Sequence, residues 1–97
     1  MNQFQLVASI AERDVIRYTP AGIPVVTAKL QHQSEQLEAG IGRLVEFEIV
    51  AFAAGEISGR FHQAGLGEIF RFIGFMARKN RRSKSLVFHI IDFESVV

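Results

Sequence analysis

The sequence predicts an all-β fold, a five-stranded OB-type barrel with a short helical link between its third and fourth strands. Three observations carry that expectation. Five segments alternate apolar and polar residues and are separated by turn signals. The period changes once, between the third and fourth of these segments, to a helical one. A dense basic run then falls in the gap between the fourth and fifth segments, where an OB barrel places one of its ligand loops.

The first strand begins at Phe4, where Phe4, Leu6, Ala8 and Ile10 alternate with Gln5, Val7 and Ser9, and it is expected to continue through Val15 to Arg17. Thr19-Pro20-Ala21-Gly22-Ile23-Pro24 breaks it, with two prolines and a glycine in a tight turn. Val25 to Gln33 is the second strand, with Val26, Ala28, Leu30 and His32 on one face. The polar stretch from Ser34 to Gly42 reads as a loop. Leu44 to Ala53 is the third strand. Val45, Phe47, Ile49 and Ala51 form its inward row, and Glu46 and Glu48 mark the other row as the wetter side. Between Gly55 and Gly65, Ile57, Phe61 and Ala64 recur at helical spacing. Gly59 weakens that helix by about 1 kcal/mol relative to Ala. The link is expected to plug one barrel end with Ile57 and Phe61.

Ile69 to Arg78 is the fourth strand, with Phe70, Phe72, Gly74 and Met76 on one face. The glycine in mid-strand marks a bulge or a sharp bend. Ser85 to Phe93 is the fifth, with Leu86, Phe88 and Ile90 opposed to Val87, His89, Ile91 and Phe93. Ser95-Val96-Val97 either completes that strand or packs on a partner. At 97 residues the chain fits one OB domain, 1–97, and a domain this small is often helped by oligomerisation.

Composition narrows the function. No Cys is present, which removes disulfides, thiolate zinc sites and Cys nucleophiles. The start of the chain reads as no signal peptide, and no run approaches the ~20 apolar residues of a membrane span. A cytoplasmic, soluble protein without a membrane contact is the expectation. Arg78, Lys79, Arg81, Arg82 and Lys84 fall within seven residues that hold no acid. The remaining 90 residues carry six basic and ten acidic side chains, a net −4 against the run's +5. A localised field of this kind suits phosphate.

Binding a single strand also needs flat groups for unstacked bases. Tyr18, Phe52 and Phe75 are the candidates by position, and core or dimer packing claims each of them equally. His32, His62 and His89 lie on separate elements without a metal-ligand spacing. His32 and His89 read as strand-surface or hydrogen-bonding groups and His62 as an exposed helix residue. No nucleophile elbow, Walker motif or dinucleotide loop occurs. Glu46 and Glu48 read as edge-strand solubility rather than a catalytic carboxylate pair. No enzyme activity, no cofactor and no metal are expected.

Asn2-Gln3-Phe4-Gln5-Leu6, Thr19-Pro20-Ala21-Gly22-Ile23-Pro24, Leu30-Gln31-His32-Gln33-Ser34, Glu38-Ala39-Gly40, Gly74-Phe75 and Leu86-Val87-Phe88-His89 together resemble the primosomal replication protein N family. These are small relatives of bacterial single-stranded DNA-binding proteins, and the resemblance covers essentially the whole chain. It implies a homodimer of OB folds that acts in restarting stalled replication forks. There it would join single-stranded DNA, a restart helicase and a loader-recruiting primosome protein. It also implies that Arg78, Lys79, Arg81, Arg82 and Lys84 contact DNA, on a loop slightly shorter than in the enterobacterial form. This sequence departs from that form at two stacking positions, where it carries Ile41 and Glu46. Ile41 can pack on a base without a π face, and Glu46 would repel phosphate. Each lost stack costs ~1–3 kcal/mol, so weaker single-strand binding and a larger role for protein contacts are expected. An adaptor whose main ligand is protein is the competing expectation.

Overall fold

The computed structural model describes residues 1–96. Six strands and one helix follow in the order β1 (Phe4–Arg13), β2 (Arg17–Tyr18), β3 (Pro24–Glu38), β4 (Ile41–Ala54), α1 (Ile57–Gln63), β5 (Ile69–Arg78) and β6 (Leu86–Ser95). Neighbouring strands run β1-β5-β6-β4-β3, and β1 pairs with β3 to close a five-stranded barrel, with β2 appended to β3. All pairs are antiparallel except β4 with β6. The helix lies between the third and fourth barrel strands, as the change of period predicts.

The inward rows fill the barrel. Ala8, Ile10, Val26, Ala28, Leu30, Ala51, Ala53, Phe70, Phe72, Phe88, Ile90 and Phe93 are buried together with Phe61 from the helix. Phe61 seals one end. Its ring meets Phe72 and Phe93 edge-on at 6.2 and 5.8 Å, a geometry that adds ~0.5–1.5 kcal/mol per pair beyond burial. The helix has no side-chain N-cap, and its hold comes from the barrel. Arg13 of β1 donates to the carbonyls of Phe61 and Ala64 at the helix end, and the Phe61 carbonyl also accepts from the Ala64 amide at 3.2 Å. Arg60 sits 4.4 Å over the Phe93 ring and donates to Asp92 at 2.5 Å and to the Phe93 carbonyl at 3.2 Å.

Five sequence expectations need correction. The first strand stops at Arg13, and Arg17–Tyr18 form a separate two-residue strand against Val25 and Pro24. Ser34 to Gly42 is not a loop. β3 and β4 stay paired from Val25↔Ala54 to Glu38↔Ile41, joined only by Ala39-Gly40. Both turn residues have positive φ, 53° and 76°, as a two-residue hairpin turn requires. The paired segment stands beyond the barrel as a ribbon wet on both faces, so it needs no apolar alternation and reads as loop. The third expected strand accordingly starts at Ile41 rather than Leu44.

The fifth strand also changes phase. Phe72↔Phe93 and Ile73↔Asp92 are followed by Gly74↔Ile90, which leaves Ile91 as an extra residue on β6. The bulge sends both Ile90 and Phe93 inward and leaves Ile91 exposed. Gly74 permits this crossing, since a Cβ there would overlap the His89 carbonyl oxygen. At the end of the barrel away from the helix, Phe4, Leu6, Phe47, Ile49, Met76, Leu86 and Phe88 line an apolar mouth of about 270 Å³. Phe47 therefore belongs to the inward row yet keeps 39% of its surface exposed. There His32 bridges strands, with Nδ1–H donating to the Val7 carbonyl at 2.7 Å and Nε2 accepting from the Ser34 hydroxyl at 2.8 Å. His62 is half-buried rather than exposed. Val97, part of the expected C-terminal packing segment, lies outside the described residues.

Candidate nucleic-acid interface

The basic run forms the end of β5 and the turn that leads into β6. The turn braces itself. The Lys79 amide donates to the Ser85 carbonyl at 3.0 Å and the Ser83 amide to the Asn80 carbonyl at 3.3 Å. The Arg82 amide donates to Asn80 Oδ1 at 2.9 Å and the Ser85 amide to Ser83 Oγ at 3.0 Å. With its amides engaged inside the turn, the segment turns its long side chains outward. Arg78, Lys79, Arg81, Arg82 and Lys84 are all exposed. None belongs to an ion pair among the described residues, whose four pairs are Lys29–Glu12, Arg43–Glu38, Arg60–Asp92 and Arg71–Glu94.

Lys79 reaches a groove of about 650 Å³ on the outer face of β3 and β4, between the basic turn and the segment joining β1 to β2. Thr27, Val50 and Phe52 line it together with Asp14, Val15 and Arg17. Arg17 is steadied by donating to Thr27 Oγ1 at 3.2 Å. Arg13 also borders the groove, but its guanidinium is engaged at the helix end. An OB barrel binds oligonucleotides on this face and with these two loops.

Phe52 continues sideways into a row of rings. The ladders set Phe52 beside His89 and His89 beside Phe75. His89 and Phe75 are stacked, with centroids 4.8 Å apart and planes 5° from parallel. Phe52 meets His89 edge-on at 5.5 Å. Partial burial holds the His89 imidazole below its ordinary pKa by desolvation of the charged form, which favours the neutral ring.

The other expected residues are elsewhere. Tyr18 is exposed on β2, beside a different groove lined by Ile16, Ile23 and the start of α1. Ile41 is exposed at the ribbon tip, opposite Glu38. The structure thus gathers Lys79, Phe52 and Phe75 with the basic turn and separates Tyr18 and Ile41 from them. Sequence reasoning missed Arg17 and the ring-to-ring role of His89. The signal for His89 was its outward register against Phe75, which requires the ladder to be known. Glu46 and Glu48 sit exposed on the outer row of β4, in line with Val50 and Phe52.

A family described as another single-strand binding protein family matches residues 2–92. A replication restart protein PriB of Nitrosomonas europaea is 42% identical over 91 residues, covering 94% of this chain and 84% of the relative. The chain belongs to the PriB family, a relative of the single-stranded DNA-binding proteins. The likeness to PriB extends to three dimensions. The crystal structure of PriB from Ralstonia solanacearum superposes with a TM-score of 0.92 at 41% identity, over 100% of this chain and 99% of that one. The single-stranded DNA-binding protein of Thermus aquaticus shares the fold, with a TM-score of 0.77 at 22% identity over 100% of this chain and 50% of that one. PriB is the family that the sequence resemblance indicates, and the OB barrel is the fold that the strand order predicts.

Proposed function

We propose that this chain is a primosome accessory protein that binds single-stranded DNA and bridges a replication-restart helicase to its partners when stalled forks restart. The observation that carries the reading is the basic turn. Its five cations are unpaired, held outward by a self-braced backbone, and one of them overhangs a groove floored by Phe52. Phosphates would follow Arg78, Lys79, Arg81, Arg82 and Lys84, and bases would lie toward the groove. This needs no cofactor, metal or enzymatic step. The names of the PriB relatives, replication restart proteins, support the setting. A homodimer of single OB domains, cytoplasmic and associated with the nucleoid, completes the reading.

The test is fluorescence anisotropy of a labelled single strand of about 30 nucleotides across a salt series. Four phosphate contacts predict a log–log slope of about −3 at ~0.7 per contact. Arg81→Ala/Arg82→Ala/Lys84→Ala should weaken binding and flatten the slope. An unchanged slope in that variant would place the phosphates elsewhere.

A second reading has its own observation. Glu35, Glu46 and Glu48 share the outer face of the ribbon with exposed Leu37 and Leu44, and no aromatic ring stands there. An adaptor that docks protein on the ribbon and binds DNA only weakly would show no anisotropy change at low salt while remaining folded.

A further inference from the structure

We infer that Phe52, His89 and Phe75 form the base-stacking platform of this protein, carrying the bases of a bound single strand across β4, β6 and β5 instead of along the ribbon. The inference rests on the single-strand reading above and names where the bases go.

Three observations place the bases on this row. First, the rings are contiguous across three strands on the outer face, and Phe75 keeps 38% of its surface exposed although it is a large apolar ring. Its stacked partner His89 covers one face. A further flat ring would extend a stack whose geometry is already set. Second, both ends of the row meet cations. Phe52 shares its groove with Lys79 and Arg17, two cations against the one carboxylate of Asp14, and the basic turn begins three residues beyond Phe75 at Arg78. A strand with its bases on the rings would keep its phosphates within reach of both. Third, charge closes the other route. The outer row of β4 runs from Phe52 through Val50 to Glu48 and Glu46, and the facing β3 residues beside those two acids are Gln31 and Gln33. A phosphate chain moving toward the ribbon passes Lys29, which faces Val50 and is paired with Glu12 at 3.8 Å, and then meets two carboxylates faced only by glutamines, whereas the carboxylate on β6 beyond the rings, Asp92, is already paired with Arg60.

The chemistry of the row fits unstacked nucleobases of any identity. Stacking reads the π face that all bases share. A neutral His89, favoured by its partial burial, leaves the row without charge of its own, with Phe75 parallel to the imidazole and Phe52 edge-on to it. Phe52 and Phe75 are separated by 23 positions and His89 by a further 14, so only the closed barrel assembles them.

The test compares two probes of equal length and charge, a 30-nucleotide thymidine strand and an abasic strand of the same phosphate count. Wild type should prefer the thymidine strand by about tenfold or more, as loss of stacking predicts. Phe52→Leu/Phe75→Leu keeps apolar bulk without π faces. It should lose most of that preference while retaining the wild-type salt slope and its affinity for the abasic strand. Arg81→Ala/Arg82→Ala/Lys84→Ala should weaken both probes alike. If wild type discriminates and the leucine variant discriminates equally, the bases stack elsewhere and the inference falls while the single-strand reading stands. If wild type binds neither probe at low salt, the reading falls and the inference with it. Photo-crosslinking of wild type to a 5-iodouracil strand guards against a misfolded variant. Adducts on Phe52, His89 or Phe75 support the row, and adducts confined to Tyr18 or the ribbon overturn it.

Discussion

Gly74→Ala probes the point where the barrel is tightest. A Cβ at this position would overlap the His89 carbonyl oxygen and approach the His89 carbonyl carbon at 2.9 Å and Ile90 Cα at 3.2 Å. All three are backbone atoms, so no side chain can swing aside. Relief requires β5 and β6 to part beside the bulge, at Gly74↔Ile90 and Phe75↔His89. Overpacking of this kind costs ~1–3 kcal/mol, and a loosened ladder bond adds ~0.5–1.5 kcal/mol. The smaller entropy of an unfolded chain with Ala returns ~0.4–1 kcal/mol. The expected net loss is about 2–3 kcal/mol, a large share of the ~5–15 kcal/mol that holds a small domain. Urea unfolding followed by far-UV circular dichroism reads it directly. With a slope of ~1–3 kcal/mol/M, the midpoint should drop by about 1–2 M. Gly59→Ala is the matched control, since it lies in the exposed interior of α1 with nothing within 4 Å of the added carbon, and it should raise stability by up to ~1 kcal/mol. A Gly74→Ala protein that unfolds at the wild-type midpoint would refute the close approach and with it the bulge geometry on which the outward register of His89 depends.

Other consequences are open to direct measurement. Phe61→Ala removes the ring that seals the helix end of the barrel and should cost ~3–5 kcal/mol in the same unfolding assay. Stability should fall on acidification in two windows. The Asp92 carboxyl is held below its ordinary range by the hydrogen bond from Arg60 and that from the Phe93 amide. Its contribution is present above the ordinary carboxylate value near ~4 and is lost as pH drops through the folded value, so Asp92→Asn should flatten the acid limb. The lowered pKa of His89 means the unfolded chain takes up that proton first. Stability is then full above ~6.5 and declines below it, and His89→Gln should flatten that part of the profile. Arg13→Ala removes the side-chain donor to the carbonyls of Phe61 and Ala64, leaving Phe61 only its bond from the Ala64 amide, and hydrogen exchange should show α1 opening faster than the barrel strands.

Much of the barrel was legible because its alternation is a direct consequence of a half-buried sheet. The inward residues of β1, β3 and β5 are those that the period-2 pattern selects, and the helix announced itself through Ile57, Phe61 and Ala64. The errors fall where that logic stops applying. The ribbon from Ser34 to Glu38 and from Ile41 to Val45 is stabilised by cross-strand hydrogen bonds and a two-residue turn. Neither demands apolar side chains, so a polar strand looks like a polar loop. Phe93 was put on the wrong face because one inserted residue, Ile91, reverses the alternation after it. Its cause, the closeness of β6 backbone to Gly74, is a contact between segments 15 or more residues apart in sequence.

The candidate site divides along the same line. Its charge is contiguous in sequence, so five cations within seven residues could be read before any fold was known, and their role depends only on standing outward. Its rings come from β4, β6 and β5, and their adjacency depends on the parallel pairing of β4 with β6 and on the bulge that fixes the register of His89 against Phe75. A sequence reader sees Phe52 and Phe75 as two isolated aromatics and His89 as a strand-surface histidine. Physical adjacency changes what each can do, because an isolated exposed Phe gains little from a base, whereas the row joins a stacked ring, Phe75 on His89, to a ring that shares a groove with Lys79 and Arg17, Phe52. The loss of aromatics at Ile41 and Glu46 on the ribbon therefore need not abolish base contacts. On the base-stacking inference drawn above, the requirement for them moves onto the sheet, where the closed barrel supplies rigidity that a two-stranded ribbon without a core lacks.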